Sequence, residues 1–224
     1  MTFSLVARCS DTGMFGVAVA SSSPAVAARC AYAQAGVGAV ASQNITDPTL
    51  GTRGLELMAR GATAAEAVAI LRRTAAHADY RQVLAVDAAG GTGIHSGPNG
   101  LGTWAEARAE NVACGGNLLA DARVPEAMAA AFSAAGGHLG DRLLVAMQAA
   151  LEAGGEAGPI HSAGMRLVRE VPWPVADLRI DWTEGDPVEE LAALWGHYAP
   201  QLDAYVTRAL DPREAPSYGV PGDE

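Results

Sequence analysis

Phe3, Leu5, Ala7 and Cys9 alternate with Ser4, Val6 and Arg8 from the first residues of this chain, the period of two expected of a half-buried β-strand. Ser10-Asp11-Thr12-Gly13 supplies turn chemistry, and Phe15 to Ala20 then runs apolar without a charge, so the partner strand is expected to be covered on both faces. The pattern therefore predicts a central hairpin that begins at Thr2. Pro24 to Gln34 is rich in small residues, and Ala35 to Ala41 reads as a short, glycine-bearing buried strand closed by Ser42-Gln43-Asn44. After the Asp47-Pro48 turn, Leu50 to Arg60 puts Leu50, Gly54, Leu57 and Met58 on one helical face and stops at Gly61. Thr63-Ala64-Ala65-Glu66 has the spacing of a capping box for a second helix, with Ala67, Ile70 and Leu71 inward.

A second hairpin is predicted over Gln82–Asp87 and Gly91–Ser96, then a short strand over Trp104–Glu110 and a stretch from Asn111 leading into Gly115-Gly116-Asn117. Pro125 fits the first turn of a helix reaching Ala135, and Gly136-Gly137 separates it from another over Leu139–Ala153. A glycine-rich loop, Gly154–Pro159, precedes strands Ser162–Val168 and Asp177–Trp182. Asp186-Pro187 opens a helix carrying Val188, Leu191, Leu194 and Trp195, Pro200 ends it, and Gln201–Leu210 forms a separate piece. One domain is expected over residues 1–210, with a polar tail over 211–224. Hairpins alternating with helix pairs, and strands apolar on both faces, predict an α+β fold of four layers, an αββα sandwich. The alternative is one sheet in a simpler α+β domain.

Composition narrows the chemistry. Half the 224 residues are hydrophobic and 18% are charged, enough for a sizeable core. No apolar run has membrane-spanning length and the start lacks a signal-peptide pattern, so a cytosolic protein is expected. The net charge of −10 argues against nucleic acid and anionic membranes as partners. All fifteen basic residues are arginine, which excludes lysine Schiff bases and Walker-type phosphate loops. Cys9, Cys30 and Cys114 are odd in number and lack a CxxC pair, so neither a disulfide framework nor a zinc site is indicated. His95 and His161 each sit in an Ile-His-Ser triplet without the spacing or acidic third ligand of a metal site. No metal and no cofactor are expected.

Thr2 is the candidate nucleophile. An initiator methionine is commonly removed before a small residue, which would leave Thr2 with a free α-amine. Such an amine has a pKa near 7.7–8.0, suited to a general base, and shares its residue with a hydroxyl. Asn117, beside Gly116, is a candidate oxyanion donor; the same residues also suit a left-handed turn. Arg29 is the nearest cation in sequence able to lower the hydroxyl pKa, or else pairs with an acidic surface group. Ser21, Ser22, Gln43 and Asn44 lie at strand ends where they could line a polar pocket, and His95 is a candidate ligand or acid–base group.

Thr2-Phe3-Ser4-Leu5-Val6-Ala7-Arg8 followed by Gly16-Val17-Ala18-Val19-Ala20-Ser21 resembles the start of the domain of unknown function 1028 family. The resemblance continues through Ala35 to Gln43, Gly51…Gly54-Leu55, Gly116-Asn117-Leu118-Leu119 and His161-Ser162-Ala163, most of the chain to about Trp182. That family is similar in fold to the N-terminal nucleophile (Ntn) hydrolases. The resemblance thus implies the αββα sandwich and amide-bond hydrolysis with Thr2 as nucleophile, and it favours Asn117 as oxyanion donor. Proteasome-like members of that class carry an Asp and a basic residue after the second strand and a lysine near the third. Here Ala20-Ser21-Ser22 and an absence of lysine stand instead. The expectation is an Ntn-type amidohydrolase acting on a small or peptide-like amide, the alternative a non-catalytic binding or structural protein on the same fold. Exposed helix layers on a chain of this size admit a homodimer.

Overall fold

The structure is a computed structural model that describes residues 2–223. In chain order its first elements are β1 (Thr2–Arg8), β2 (Phe15–Ser21), α1 (Ala27–Cys30), β3 (Ala31–Gln34), β4 (Gly38–Asn44), α2 (Thr49–Ala59) and α3 (Ala64–Thr74). They are followed by β5 (Arg81–Asp87), β6 (Thr92–Ser96), β7 (Ala105–Ala109), β8 (Val112–Asn117), α4 (Val124–Ala134) and α5 (Leu139–Glu152). The chain closes with β9 (Ser162–Val168), β10 (Ala176–Ile180), α6 (Pro187–Tyr198) and α7 (Leu202–Leu210).

The opening hairpin forms as the pattern predicts, with Phe3 opposite Ala20, Arg8 opposite Phe15, and Gly13 in the turn at a φ of 70°. β1 differs from the expectation in being buried on both faces. Phe3, Leu5 and Ala7 enter one core and Val6 another. Ser4 is tolerated between the sheets because its Oγ donates to Gln43 Oε1 at 2.6 Å, and a buried hydroxyl costs little once it is bonded. β1 lies between β2 and β8 in a six-stranded antiparallel sheet of order β10-β9-β2-β1-β8-β7. A second antiparallel sheet has the order β3-β4-β5-β6. β3 is an addition to the predicted elements: its small, unpatterned residues give no strand signal, and pairing of Ala31 with Ala41 on β4 makes it one.

The sheets face each other. Phe15, Val17 and Val19 of β2 and Ala113 of β8 share a core with Ala39 and Ala41 of β4 and Leu84 and Val86 of β5. On the outer face of the larger sheet, Phe3 and Leu5 pack with Met128 and Phe132 of α4, Leu143 and Met147 of α5, and Leu191 and Trp195 of α6. On the outer face of the smaller sheet, Val40, Val83 and Ala85 pack with Leu50 and Leu55 of α2 and Val68 and Leu71 of α3. Two sheets with helices outside both replace the single-sheet alternative.

The helix ends follow from sequence. Thr63 and Glu66 make both bonds of the capping box, Asp186 caps α6 through Val188 N and Glu189 N, and Pro200 lies in the 3-10 turn between α6 and α7. α2 presses so close to β3 that a Cβ on Gly51 would fall 2.0 Å from the Tyr32 ring. Gly51→Ala is therefore expected to cost about 1–3 kcal/mol by overpacking, against a gain of about 0.5–1 kcal/mol for the same change at an exposed helical site, as measured by urea unfolding. The expected polar tail folds back, for Arg208 donates to Pro216 O at 2.7 Å and its guanidinium sits 3.6 Å from the Tyr218 ring centroid. Among the described residues, no helix is long and apolar enough to cross a membrane.

Candidate active site

Sheet order and strand parity together build the site. Thr2 begins β1, is paired with Asn117 at the end of β8, and meets Ser21 at the end of β2. Since side chains alternate along a strand, Thr2, like Ser4 and Val6, points between the sheets, as do Ser21 and Asn117. The Thr2 and Ser21 hydroxyl oxygens are 3.3 Å apart. Asn117 Nδ2 donates to the Thr2 carbonyl at 3.5 Å, the outer limit of a hydrogen bond, so the amide can swing to another acceptor with small loss. Ser21 Oγ accepts from Ser23 N at 3.0 Å, and Ser162 Oγ fixes the same loop by donating to Ser23 O at 2.6 Å and accepting from Val26 N at 3.2 Å. Thr2 is 6% exposed and Asn117 1%, a setting in which hydrogen bonds and charges act with little screening.

A group the sequence reading missed adjoins this cluster. Glu156 is buried, and both its carboxylate oxygens accept at 3.3 Å from the N–H of Ser22, the residue after the one whose hydroxyl Thr2 meets. Its position is built by backbone: Glu156 bridges Leu119, Ala157 N donates to Leu118 O at 2.9 Å, and Ala120 N donates to Gly155 O at 3.0 Å. Gly154 and Gly155 turn the chain into this bridge at φ of 112° and 58°. The loop thus touches the chain just past both strands that flank β1, at Ser22 beyond β2 and at Leu119 beyond β8. Burial pushes the Glu156 carboxyl up to about 7, with the positive charge of the amino terminus and then the Ser22 bonds opposing the rise.

The remaining sequence-predicted residues divide. Gln43 is fully buried between the sheets, accepting from Ser4 and donating from Nε2 to Gln82 Oε1 at 2.8 Å; it braces β1 two residues from Thr2. Gly116 is paired with Phe3 on one side and Ala105 on the other, so its backbone belongs to the sheet and Asn117 Nδ2 stands as the candidate oxyanion donor of the pair. Asn44, at φ 73°, bonds Tyr80 O and Leu101 N and holds loops together. Arg29 donates from Nη1 to Pro24 O at 2.6 Å and Ala25 O at 3.4 Å, and no ion pair of the described residues includes it. His95 is not brought to Thr2. By parity with Val83 it faces the α3 layer, where its Nε2 bonds Ala78 O and its ring lines a cavity of about 480 Å³ with Arg72, Arg73 and Arg108. His161 stacks on Trp182 at 4.3 Å and bonds Thr183 O, a structural setting. Among the described residues there is no cluster of His, Cys, Asp and Glu able to hold a metal ion.

The family model DUF1028, described as a family of unknown function, matches residues 2–191. The chain belongs to the DUF1028 family. The match begins at Thr2 itself. The crystal structure of a Silicibacter pomeroyi protein of DUF1028 superposes with a TM-score of 0.82 at 28% identity, covering 88% of this chain and 85% of that one. Anbu, an ancestral beta-subunit from Yersinia bercovieri, aligns over 91% of this chain and 97% of that one at 12% identity and a TM-score of 0.38. No curated protein matches.

Glu156 gives this DUF1028 chain a measurable pH dependence. A carboxyl raised from 4.5 to about 7 on folding binds more protons in the folded state than in the unfolded one. Stability is therefore highest below the unfolded value and falls as pH rises from there through about 7. The loss is on the order of 3 kcal/mol once the folded group is ionised. Glu156→Gln should recover most of it at about pH 9 and gain under about 1 kcal/mol at about pH 5, read from urea midpoints of both proteins at the two pH values.

Proposed function

We propose that this chain is an amide-bond hydrolase of the N-terminal nucleophile type, on an αββα sandwich of that class, acting on a small or peptide-like amide in the cytosol without a cofactor. The observation that carries the reading is the placement of the Thr2 hydroxyl at the end of a central strand, 3.3 Å from Ser21 Oγ and across from Asn117.

Once the peptide bond before Thr2 is cleaved, its α-amine is the base nearest its own hydroxyl. Thr2 Oγ1 attacks the substrate carbonyl carbon, and the hydroxyl proton passes to the amine. Negative charge gathers on the former carbonyl oxygen, where Asn117 Nδ2, released from its long bond to Thr2 O, donates to it. The C–N bond then breaks, the departing nitrogen takes the proton from the Thr2 ammonium, and an ester remains on Oγ1. Water attacks that ester with the amine again as base, the C–O bond breaks, and Oγ1 recovers its proton. Ser21 Oγ orients the Thr2 hydroxyl between turnovers.

The test is hydrolysis of a panel of chromogenic amides and short peptides by natively processed protein. Turnover lost in Thr2→Ala and kept within about tenfold in Thr2→Ser, which preserves both amine and hydroxyl, supports the assignment. A wild-type protein inert on the panel, or turnover unchanged in Thr2→Ala, leaves the non-catalytic binding role in its place.

A further inference from the structure

We propose that Glu156 is the counter-ion of the Thr2 α-ammonium and sets the pH at which that amine becomes available as a base. The inference rests on the proposed function, since it needs the Thr2 amine to be free.

A carboxylate more than nine-tenths buried needs a cation or several donors, because desolvation costs several kcal/mol per ion. Among the described residues, the hydrogen bonds to the Glu156 carboxylate come from Ser22, whose N–H is shared between both oxygens at 3.3 Å and whose side chain adds a further bond. No ion pair between described residues reaches it, and the positive charge that acts on it is that of the chain's amino terminus. The charged and titratable groups on the surrounding elements are engaged elsewhere or face solvent. Arg29 is held by the Pro24 and Ala25 carbonyls, and Arg123 and Asp121 close on each other at 2.6 Å. His161, whose N–H donates to Ser21 O, keeps its ring on Thr183 O and 3.9 Å from Glu184, while Glu152 at the end of α5 is exposed. The backbone bridge to Leu119 holds Glu156 just beyond β8, and the Ser22 bond holds its carboxylate just beyond β2, at the end of the sheet where β1 begins and where the charge of the amino terminus acts on it. The cation delivered to that spot is the amine that processing creates.

The consequence is directional. Ionised Glu156 favours the ammonium and raises the amine pKa, whereas burial of Thr2 lowers it. Glu156 is therefore a positioning residue that holds the base protonated until the pH rises. Removing its charge should move the acid limb of the pH–rate profile downward by about one unit.

The sequence supplies a selective probe, for a chain without lysine has the terminal α-amine as its one amine. Reductive methylation with ¹³C-formaldehyde labels that amine alone, peptide mass spectrometry identifies the residue carrying the label, and the ¹³C shift reports its titration. With the label on Thr2, the wild-type curve is expected to show two inflections, one from Glu156 and one from the amine, and Glu156→Gln should reduce it to one inflection lower by about one pH unit. A single wild-type inflection at about 7.7–8.0, or a curve unmoved in the variant, overturns the role of Glu156 and leaves the nucleophile assignment standing. A label on any residue other than Thr2 overturns the reading beneath it.

Discussion

Thr2→Ala is expected to lower amide turnover by on the order of 10³-fold or more while leaving the protein folded. The variant keeps the α-amine and every backbone contact of β1, so it removes the attacking oxygen and one buried methyl group. Its structural cost includes the contact between Thr2 Oγ1 and Ser21 Oγ, and Ser21 Oγ retains its bond from Ser23 N. The expected loss of stability is accordingly about 1–2 kcal/mol. A structural role for the hydroxyl would give the reverse pattern, a clear fall in unfolding midpoint with turnover nearly intact. Progress curves and urea unfolding on one preparation separate the two.

Phe3→Ala is expected to cost about 3–5 kcal/mol, a large share of the roughly 5–15 kcal/mol that holds a domain together. Phe3 is fully buried, lies between Ala20 and Gly116 on the neighbouring strands, and belongs to the core shared with α4 and α5. None of the small neighbours across the sheet can close the cavity. The urea midpoint should fall by roughly 1–2 M, and Phe3→Leu should lose much less because it keeps most of the volume. A fall of under about 1 kcal/mol would show that the first strand is peripheral to the fold. Burial of Phe3 is what fixes the neighbouring Thr2 in place, so fold stability and site geometry meet in two adjacent residues.

Much of the architecture was legible because its signals are local. Turn chemistry at Ser10–Gly13, the capping box at Thr63 and Glu66, the Asp186-Pro187 helix start and the apolar run from Phe15 each act within a few residues, and each formed as expected. β3 was hidden because Ala31, Ala33 and their neighbours carry no periodicity and become a strand only by pairing with β4. The site was legible in part. Thr2, Ser21 and Asn117 converge because the strands predicted to carry them are neighbours, but their order, with β8 beside β1, is a long-range outcome that spacing does not encode. His95 was misplaced for a physical reason: parity on β6 decides its face, and the same Ile-His-Ser triplet gives no sign of which neighbour covers which side. Glu156 was hidden in a glycine-rich loop that resembles a solvated connection. Its burial comes from a bridge to Leu119, 37 residues away in sequence by the difference of their numbers.

The account turns on whether Thr2 bears a free α-amine in the protein as its native host makes it. Intact mass and amino-terminal sequencing of natively purified protein answer that directly. The account predicts that the mature chain begins at Thr2, with an unmodified amine. A mature protein that keeps any residue before Thr2, tying its nitrogen into a peptide bond, would contradict the mechanism at its first proton transfer.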